Sequence, residues 1–170
     1  LRGFPVPTVI PEGSPDDPGA AFVFALAIEP ITVRRVIVTN TVTHEQFGDL
    51  IGSLSHNMIS AALNNHTFPP GDPPPLTYTT IYEDNEENDI RSAERTDGPG
   101  SLRDFVGEEG IGLWLLQMVD DANSATGSVD FLSIRLEPQM IDDDGRWRAI
   151  QPFSFSYDFV DVPANASNLT

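Results

Sequence analysis

Apolar residues along this chain form short runs that are separated by glycine, proline and acidic turns. Residues 21–28 and 112–119 are nearly continuous apolar runs, which are typical of strands buried on both faces. Residues 32–43 and 128–136 are rich in β-branched residues or alternate apolar with polar side chains, as half-buried strands do. These patterns predict a protein built from β-structure.

Further short runs extend the β pattern. Residues 49–54 and 77–82 predict strands, whereas residues 57–65 fit either a strand or a short turn of helix. Prolines interrupt residues 1–19 and 68–76, which predicts turns and extended loops there. Fifteen prolines and thirteen glycines favour an all-β protein with many turns. We therefore predict a jelly-roll-like β-sandwich of two antiparallel sheets with about eight strands.

The composition changes near residue 141, where the sequence reads IDDDG. Residues 1–140 are predicted to form the sandwich, and residues 141–170 a C-terminal extension or the start of a following β-domain. Within the second segment, residues 153–160 alternate apolar with polar side chains and predict a strand. A lone strand cannot bury its apolar face, so it either adds to the first domain's sheet or belongs to a second module.

The chain is strongly acidic, because 26 Asp and Glu against 9 Lys and Arg give a formal net charge of −17. Such a charge repels phosphate backbones and anionic lipid, which argues against nucleic-acid and membrane-surface partners. The absence of cysteine excludes disulfides and thiolate metal sites. No apolar stretch approaches the ~20 residues of a membrane span. The first residues lack a signal-peptide pattern, and since the chain starts with leucine we expect it to be part of a longer precursor.

Several motifs follow one another along the chain. VIPE occupies residues 9–12 and VTHEQFGDL residues 42–50, and GPGSLRDF, GIGLWLLQMVD and TGSVDFLSIRL lie within residues 96–138. In this order they resemble the motifs of the P domain, which follows the catalytic domain of kexin-like and furin-like proprotein convertases. The resemblance covers most of the chain. It implies a galactose-binding-domain-like jelly roll in a secreted protein, acting as a non-catalytic accessory module that stabilises or regulates an adjacent subtilisin-like protease domain.

The resemblance also implies calcium. Asp49 lies in the GDL turn, where P domains commonly contribute a carboxylate to a bound ion. Glu83 and Asp84 occupy the place of the family's acidic element, and Asp120 matches the aspartate that follows the tryptophan strand. Calcium takes about six to eight oxygen ligands. We therefore expect three loops to converge on one oxygen-rich pocket, with these four carboxylates as ligands.

Two other interpretations of the acidic residues stay open. Asp49 and Asp120 also suit turn-capping aspartates that bond to their own backbone. The acidic run over residues 83–89 also suits a loop whose charges are solvated. For the basic pair Arg34 and Arg35, within the predicted strand at residues 32–43, we expect an exposed strand edge rather than an anion site.

The sequence contains no recognisable catalytic motif. A G-x-S-x-G elbow is absent, and the His44-Glu45 pair lacks the second histidine of an H-E-x-x-H zinc site. The other histidines, His56 and His66, lie in separate segments. We therefore expect a non-enzymatic domain in which His44 packs and forms hydrogen bonds and Trp114 belongs to the core.

A carbohydrate or cell-surface binding module is the alternative function. Jelly rolls with exposed aromatic residues commonly serve as lectin-like modules. Trp147, Tyr78 or Tyr82 on one concave face would favour glycan binding. The last residues, VPANASNLT at 162–170, also resemble the start of a bacterial prepeptidase C-terminal-type domain, which would place the protein outside the cell.

Overall fold

The computed structural model describes residues 1–71, 75–141 and 147–149. Ten strands and two short 3₁₀ turns make up its regular structure, and no membrane-spanning helix is present in the described ranges. The strands are β1 (Thr8–Ile10), β2 (Gly19–Ala27), β3 (Val33–His44), β4 (Leu50–His56), β5 (Ile59–Asn65), β6 (Thr77–Tyr82), β7 (Ala93–Glu94), β8 (Gly112–Asp120), β9 (Gly127–Ile141) and β10 (Trp147–Ala149). The 3₁₀ turns are Phe47–Asp49 and Leu102–Phe105.

The strands form two sheets that pack against each other as a β-sandwich. One sheet has the order β1-β9-β3-β6-β7, with β10 added to β9, and the other has the order β2-β8-β4-β5. All pairs are antiparallel except the short β6–β7 pair. When β7 and β10 are set aside, successive strands alternate between the sheets except for the β4–β5 hairpin, which is the order of a jelly roll and confirms the predicted fold class.

Inward-facing side chains of the two sheets form one core. Trp114, Leu116 and Met118 of β8 are fully buried, as is Val23 of β2. Trp114 packs against Phe105, with ring centroids 5.0 Å apart. The core position predicted for Trp114 is therefore confirmed.

The expectation that the strands near residues 21–28 and 112–119 are buried on both faces is wrong. Every second side chain of β2 and β8 faces outward, and Phe22, Leu26 and Leu113 are 41%, 52% and 50% exposed. Both strands lie in an antiparallel sheet with one face on the core and one face uncovered. The structure thus has an apolar surface where the sequence predicted interior.

Most strand predictions agree with the structure. β6 spans the predicted residues 77–82, and residues 59–65 form a strand rather than a helical turn. β10 extends the described structure beyond residue 140 by pairing with β9. The strand predicted at residues 153–160 and the motif at residues 162–170 lie outside the described residues.

Candidate functional site

The acidic segment after β6 folds over the outer face of β3 and pairs with its arginines. The guanidinium of Arg35 donates to Glu83 at 3.2 Å, to Glu87 at 3.0 Å and to Asp89 at 2.6 Å. Arg34 pairs with Glu87 and with Glu137 of β9. The segment is therefore held against β3, and three of its carboxylates converge on the guanidinium of Arg35.

The expectation of an exposed basic edge is wrong for Arg35, because its side chain is only 1% exposed. The hydrogen bonds that Arg35 donates to Asp89 and the charges of Glu83 and Glu87 raise the pKa of Arg35 despite its burial. Burying an unpaired guanidinium would cost several kcal/mol, so the surrounding carboxylates are a condition of its position. The basic pair anchors a loop and is not open to an external anion.

Asp84 accepts four hydrogen bonds from the segment around residues 96–102. The backbone N–H of Thr96 donates to Oδ1 at 3.0 Å, and the backbone N–H of Leu102 donates to Oδ2 at 2.7 Å. The hydroxyls of Thr96 and Ser101 also donate to Oδ2, at 2.9 and 2.8 Å. Burial alone would raise the pKa of Asp84, but these donors together hold that pKa below its ordinary value. Asp84 therefore ties β6 to the loop before β8.

Asp120 and Asp49 lie at the opposite end of the sandwich from the loop that binds Asp84. Asp120 is fully buried, its Oδ2 is 3.1 Å from Nε2 of His44, and its Oδ1 accepts the backbone N–H of Ala122 at 3.0 Å. The main-chain carbonyl of Asp49 accepts the N–H of Asp121 at 3.1 Å. Asp49 and Asp120 thus share one corner, where Asp120 caps the turn after β8 and bonds to His44.

The structure does not form the single pocket that was predicted for Asp49, Glu83, Asp84 and Asp120. Glu83 contacts Arg35 and Asp120 contacts His44, and these partners stand nine residues apart on β3, about 30 Å at ~3.3 Å per residue. In the described parts of the chain, no three His, Asp or Glu side chains are grouped as a metal site requires. The four residues therefore do not fit one calcium site, and calcium binding itself stays a prediction.

Two of the three histidines, His44 and His66, lie near the same corner of the sandwich, and His56 lies at the other end of β4. His44 is buried against Asp120, which agrees with the predicted packing and hydrogen-bonding role. His56 stacks on Trp114 with ring centroids 4.2 Å apart, and both of its ring nitrogens lie 2.8 Å from main-chain carbonyl oxygens. His66 follows β5, is exposed, and places its Nε2 3.1 Å from Oδ2 of Asp121. His44 and His66 thus bond to adjacent carboxylates at one corner, whereas the ring nitrogens of His56 serve a separate structural contact.

The outer face of the β2-β8-β4-β5 sheet is the largest feature that the sequence prediction missed. On this face, outward side chains of β2 stand opposite outward side chains of β8. The cross-strand pairs are Phe22 with Gln117, Phe24 with Leu115 and Leu26 with Leu113. Phe4 bridges to Phe24 and places its ring 6.4 Å from the Phe24 ring, which extends the same surface. We call these residues the outer apolar face.

The outer apolar face carries no charge, although the chain is rich in carboxylates. The outward positions of β2, β4 and β8 are apolar or neutral polar throughout, including Ser53 and Ser55 on β4. Contiguous apolar surface of this kind marks an interaction site more often than ordinary protein surface. The signal in the sequence was the alternation of small with large residues in AFVFALA, since the small ones face the core.

No family model matches the chain, and neither the curated proteins nor the solved structures gave a significant match.

Proposed function

We propose that this domain is a non-catalytic accessory module that docks through the outer apolar face onto an adjacent domain of the same secreted polypeptide. The observation that carries the proposal is the uncharged, exposed surface formed by Phe22, Leu26 and Leu113 in a chain of net charge −17. Burying apolar surface is the main driving force of domain association, at about 25 cal/mol per Å². The P-domain resemblance makes a subtilisin-like protease domain the proposed neighbour.

The core and its polar anchors support a structural role. Asp84, Asp120 and the Arg35 cluster hold loops in place with internal hydrogen bonds. A β-sandwich with one uncharged apolar sheet face is suited to bind a neighbouring domain, to stabilise it and to fix its orientation. In this proposal the module exerts its effect through the stability of the neighbouring domain.

The test introduces one charge into the outer apolar face of the natural polypeptide. Phe22→Asp places a carboxylate at the centre of the proposed interface, where it would lose its hydration on docking. Thr41→Asp is the matched control, because Thr41 lies on a strand of the other sheet and faces outward. We expect Phe22→Asp to lower the yield and thermal stability of the neighbouring domain, and Thr41→Asp to leave both unchanged. Equal effects of the two variants would contradict the proposal.

Self-association of the isolated chain is the competing explanation of the same surface. Analytical ultracentrifugation separates the two explanations, because a homodimer through the outer apolar face would dissociate on the Phe22→Asp change in the absence of any neighbour. A monomer at micromolar concentration agrees with docking onto an adjacent domain. A stable dimer that the Phe22→Asp change disrupts would replace the proposed partner with a second copy.

A further inference from the structure

The two sheets leave a cleft along the side of the sandwich formed by β5 and β6. Asn40, Thr80 and Tyr82 line this cleft from one sheet, and Leu50 and Met118 line it from the other. The enclosed space has a volume of about 40 Å³. One water needs about 10–15 Å³, so the cleft has room for a few water-sized groups.

Three buried polar side chains face the cleft. Asn40 is 2%, Tyr82 6% and Thr80 8% exposed, and Asn40 stands directly opposite Thr80 in the β3–β6 pair. Within the described residues, Asn40 makes no side-chain hydrogen bond. Its amide oxygen and nitrogen nevertheless keep some contact with solvent. Buried polar groups are normally satisfied by protein, water or ligand. The Asn40 amide is therefore available to something that occupies the cleft.

The charges around the cleft determine which ligands fit. Burial raises the pKa of the Tyr82 phenol to about 12, a hydrogen bond with Thr80 opposes that rise, and the negative charges of Glu94 and Asp97 add to it. These carboxylates disfavour an anion. Each already has protein donors, because Glu94 accepts the hydroxyl of Tyr78 at 3.1 Å and Asp97 accepts the N–H of Asn65 at 2.8 Å. Glu94, Asp97 and the oppositely charged Arg95 are all exposed at the rim of the cleft. The buried end carries only the neutral side chains of Asn40, Thr80 and Tyr82, so a neutral group suits that end best.

Aromatic side chains flank the opening of the cleft. Phe68 is 55% exposed, and its ring lies so close to Gly48 that a Cβ atom there would come within 2.4 Å of it. Tyr78 is half-buried beside it on the inner face of β6. An amide and two hydroxyls at depth, with aromatic rings at the opening, match a molecule that presents hydroxyl groups on one edge and C–H groups on its faces.

We propose that the cleft binds one edge of a neutral sugar ring. Two neighbouring hydroxyls enter the polar end, where the Asn40 amide and the Thr80 and Tyr82 hydroxyls both donate and accept hydrogen bonds. The ring itself stays at the opening against Phe68, because the enclosed volume is too small to hold a whole hexose. This site lies between the sheets and is separate from the outer apolar face, so it is independent of the docking function proposed above.

The test is a titration of the isotope-labelled chain, followed by amide chemical shifts. The probes are the methyl glycosides of glucose, galactose, mannose and N-acetylglucosamine, with glycerol as a small polyol that lacks a ring. We expect at least one glycoside to shift the amides around Asn40 and Thr80 with a millimolar dissociation constant. Glycerol should shift them far less, because it cannot contact Phe68 and the polar end together.

Two variants locate the binding. Tyr82→Phe removes one buried hydroxyl and keeps the ring, and we expect it to weaken binding about three- to tenfold. Asn40→Leu should abolish binding, whereas Thr41→Val, on the opposite face of the same strand, should bind as the unmodified chain does. The proposal is overturned if no glycoside moves these amides, if glycerol moves them equally, or if Tyr82→Phe binds with unchanged affinity. The result with Tyr82→Phe decides the question even if Asn40→Leu fails to fold.

Discussion

Replacing Asp84 by asparagine tests whether the acidic residues hold the loops together. The variant keeps the shape of the side chain but substitutes an NH₂ group for one carboxylate oxygen. Since Oδ1 and Oδ2 both accept backbone N–H groups, from Thr96 and Leu102, one of those donors must face another donor in the variant. A buried N–H left without an acceptor costs about 1–3 kcal/mol, and hydrogen bonds to a charged acceptor are stronger than those to a neutral one. We expect Asp84→Asn to lower the free energy of unfolding by about 2–4 kcal/mol.

Urea unfolding followed by tryptophan fluorescence measures this loss, because Trp114 is fully buried in the native state. Asp130→Asn is the matched control. Among the residues that the structure describes, Asp130 accepts only the hydroxyls of Thr43 and Ser128, which can rotate to donate to or accept from an amide. We expect the control to lose less than about 1 kcal/mol.

The pH dependence of stability provides a second readout of the same carboxylate. Because the pKa of Asp84 is lower in the folded chain than its ordinary value of 3.8, its contribution is fully present above that value. The contribution is lost as the pH falls through the folded pKa. Asp84→Asn should therefore reduce the fall in stability below about pH 4.

Two results would refute the reasoning on Asp84. A loss within about 0.5 kcal/mol of the control would mean that the four hydrogen bonds do not hold the loop. A loss seen in calcium but absent in chelator would return Asp84 to the metal-ligand role that the P-domain resemblance implies. We expect the loss to be the same in both buffers, because the donors to Asp84 belong to the protein.

Two further substitutions test the packing around the same loops. Arg35→Met should cost about 3–5 kcal/mol in urea unfolding, since it leaves Glu83 buried without its partner, and a loss below about 1 kcal/mol would show that the cluster is solvated. Gly100→Ala should cost more than about 2 kcal/mol, because Gly100 has φ +79° and a Cβ atom would lie 2.3 Å from the carbonyl oxygen of Ser60. Gly107→Ala, with φ +91° and nothing within 4 Å, is its control, and equal losses would exclude the steric explanation.

The pattern of apolar residues was sufficient to predict the long strands and the fold class, because strand period and turn residues are local properties, but it missed the short strands β1, β7 and β10. It did not predict which faces are covered. In AFVFALA every residue is apolar, and the alternation of small with large side chains is the local sign that Ala21 and Ala25 face the core while Phe22 faces outward. A continuous apolar run is therefore compatible with an exposed sheet face.

The roles of charged residues depended on contacts that are distant in sequence. Arg35 is buried because Glu83, Glu87 and Asp89 fold back over β3 from about fifty positions away in the chain, as loop closure over that length permits. Asp84 occupies an acidic position that suits a metal ligand, yet the donors that surround it come from another loop. Composition indicates where carboxylates are abundant, whereas their partners are fixed only by the fold.

The central claim is that the outer apolar face docks onto a neighbouring domain. Hydroxyl-radical footprinting of the isolated chain and of the natural polypeptide measures the exposure of Phe22, Leu26 and Leu113 in each. Met58, which is fully exposed at the turn between β4 and β5, is the internal control and should be oxidised equally in both. We predict that the three apolar residues are oxidised in the isolated chain and protected in the natural polypeptide. Equal oxidation of all three in both forms would contradict the claim.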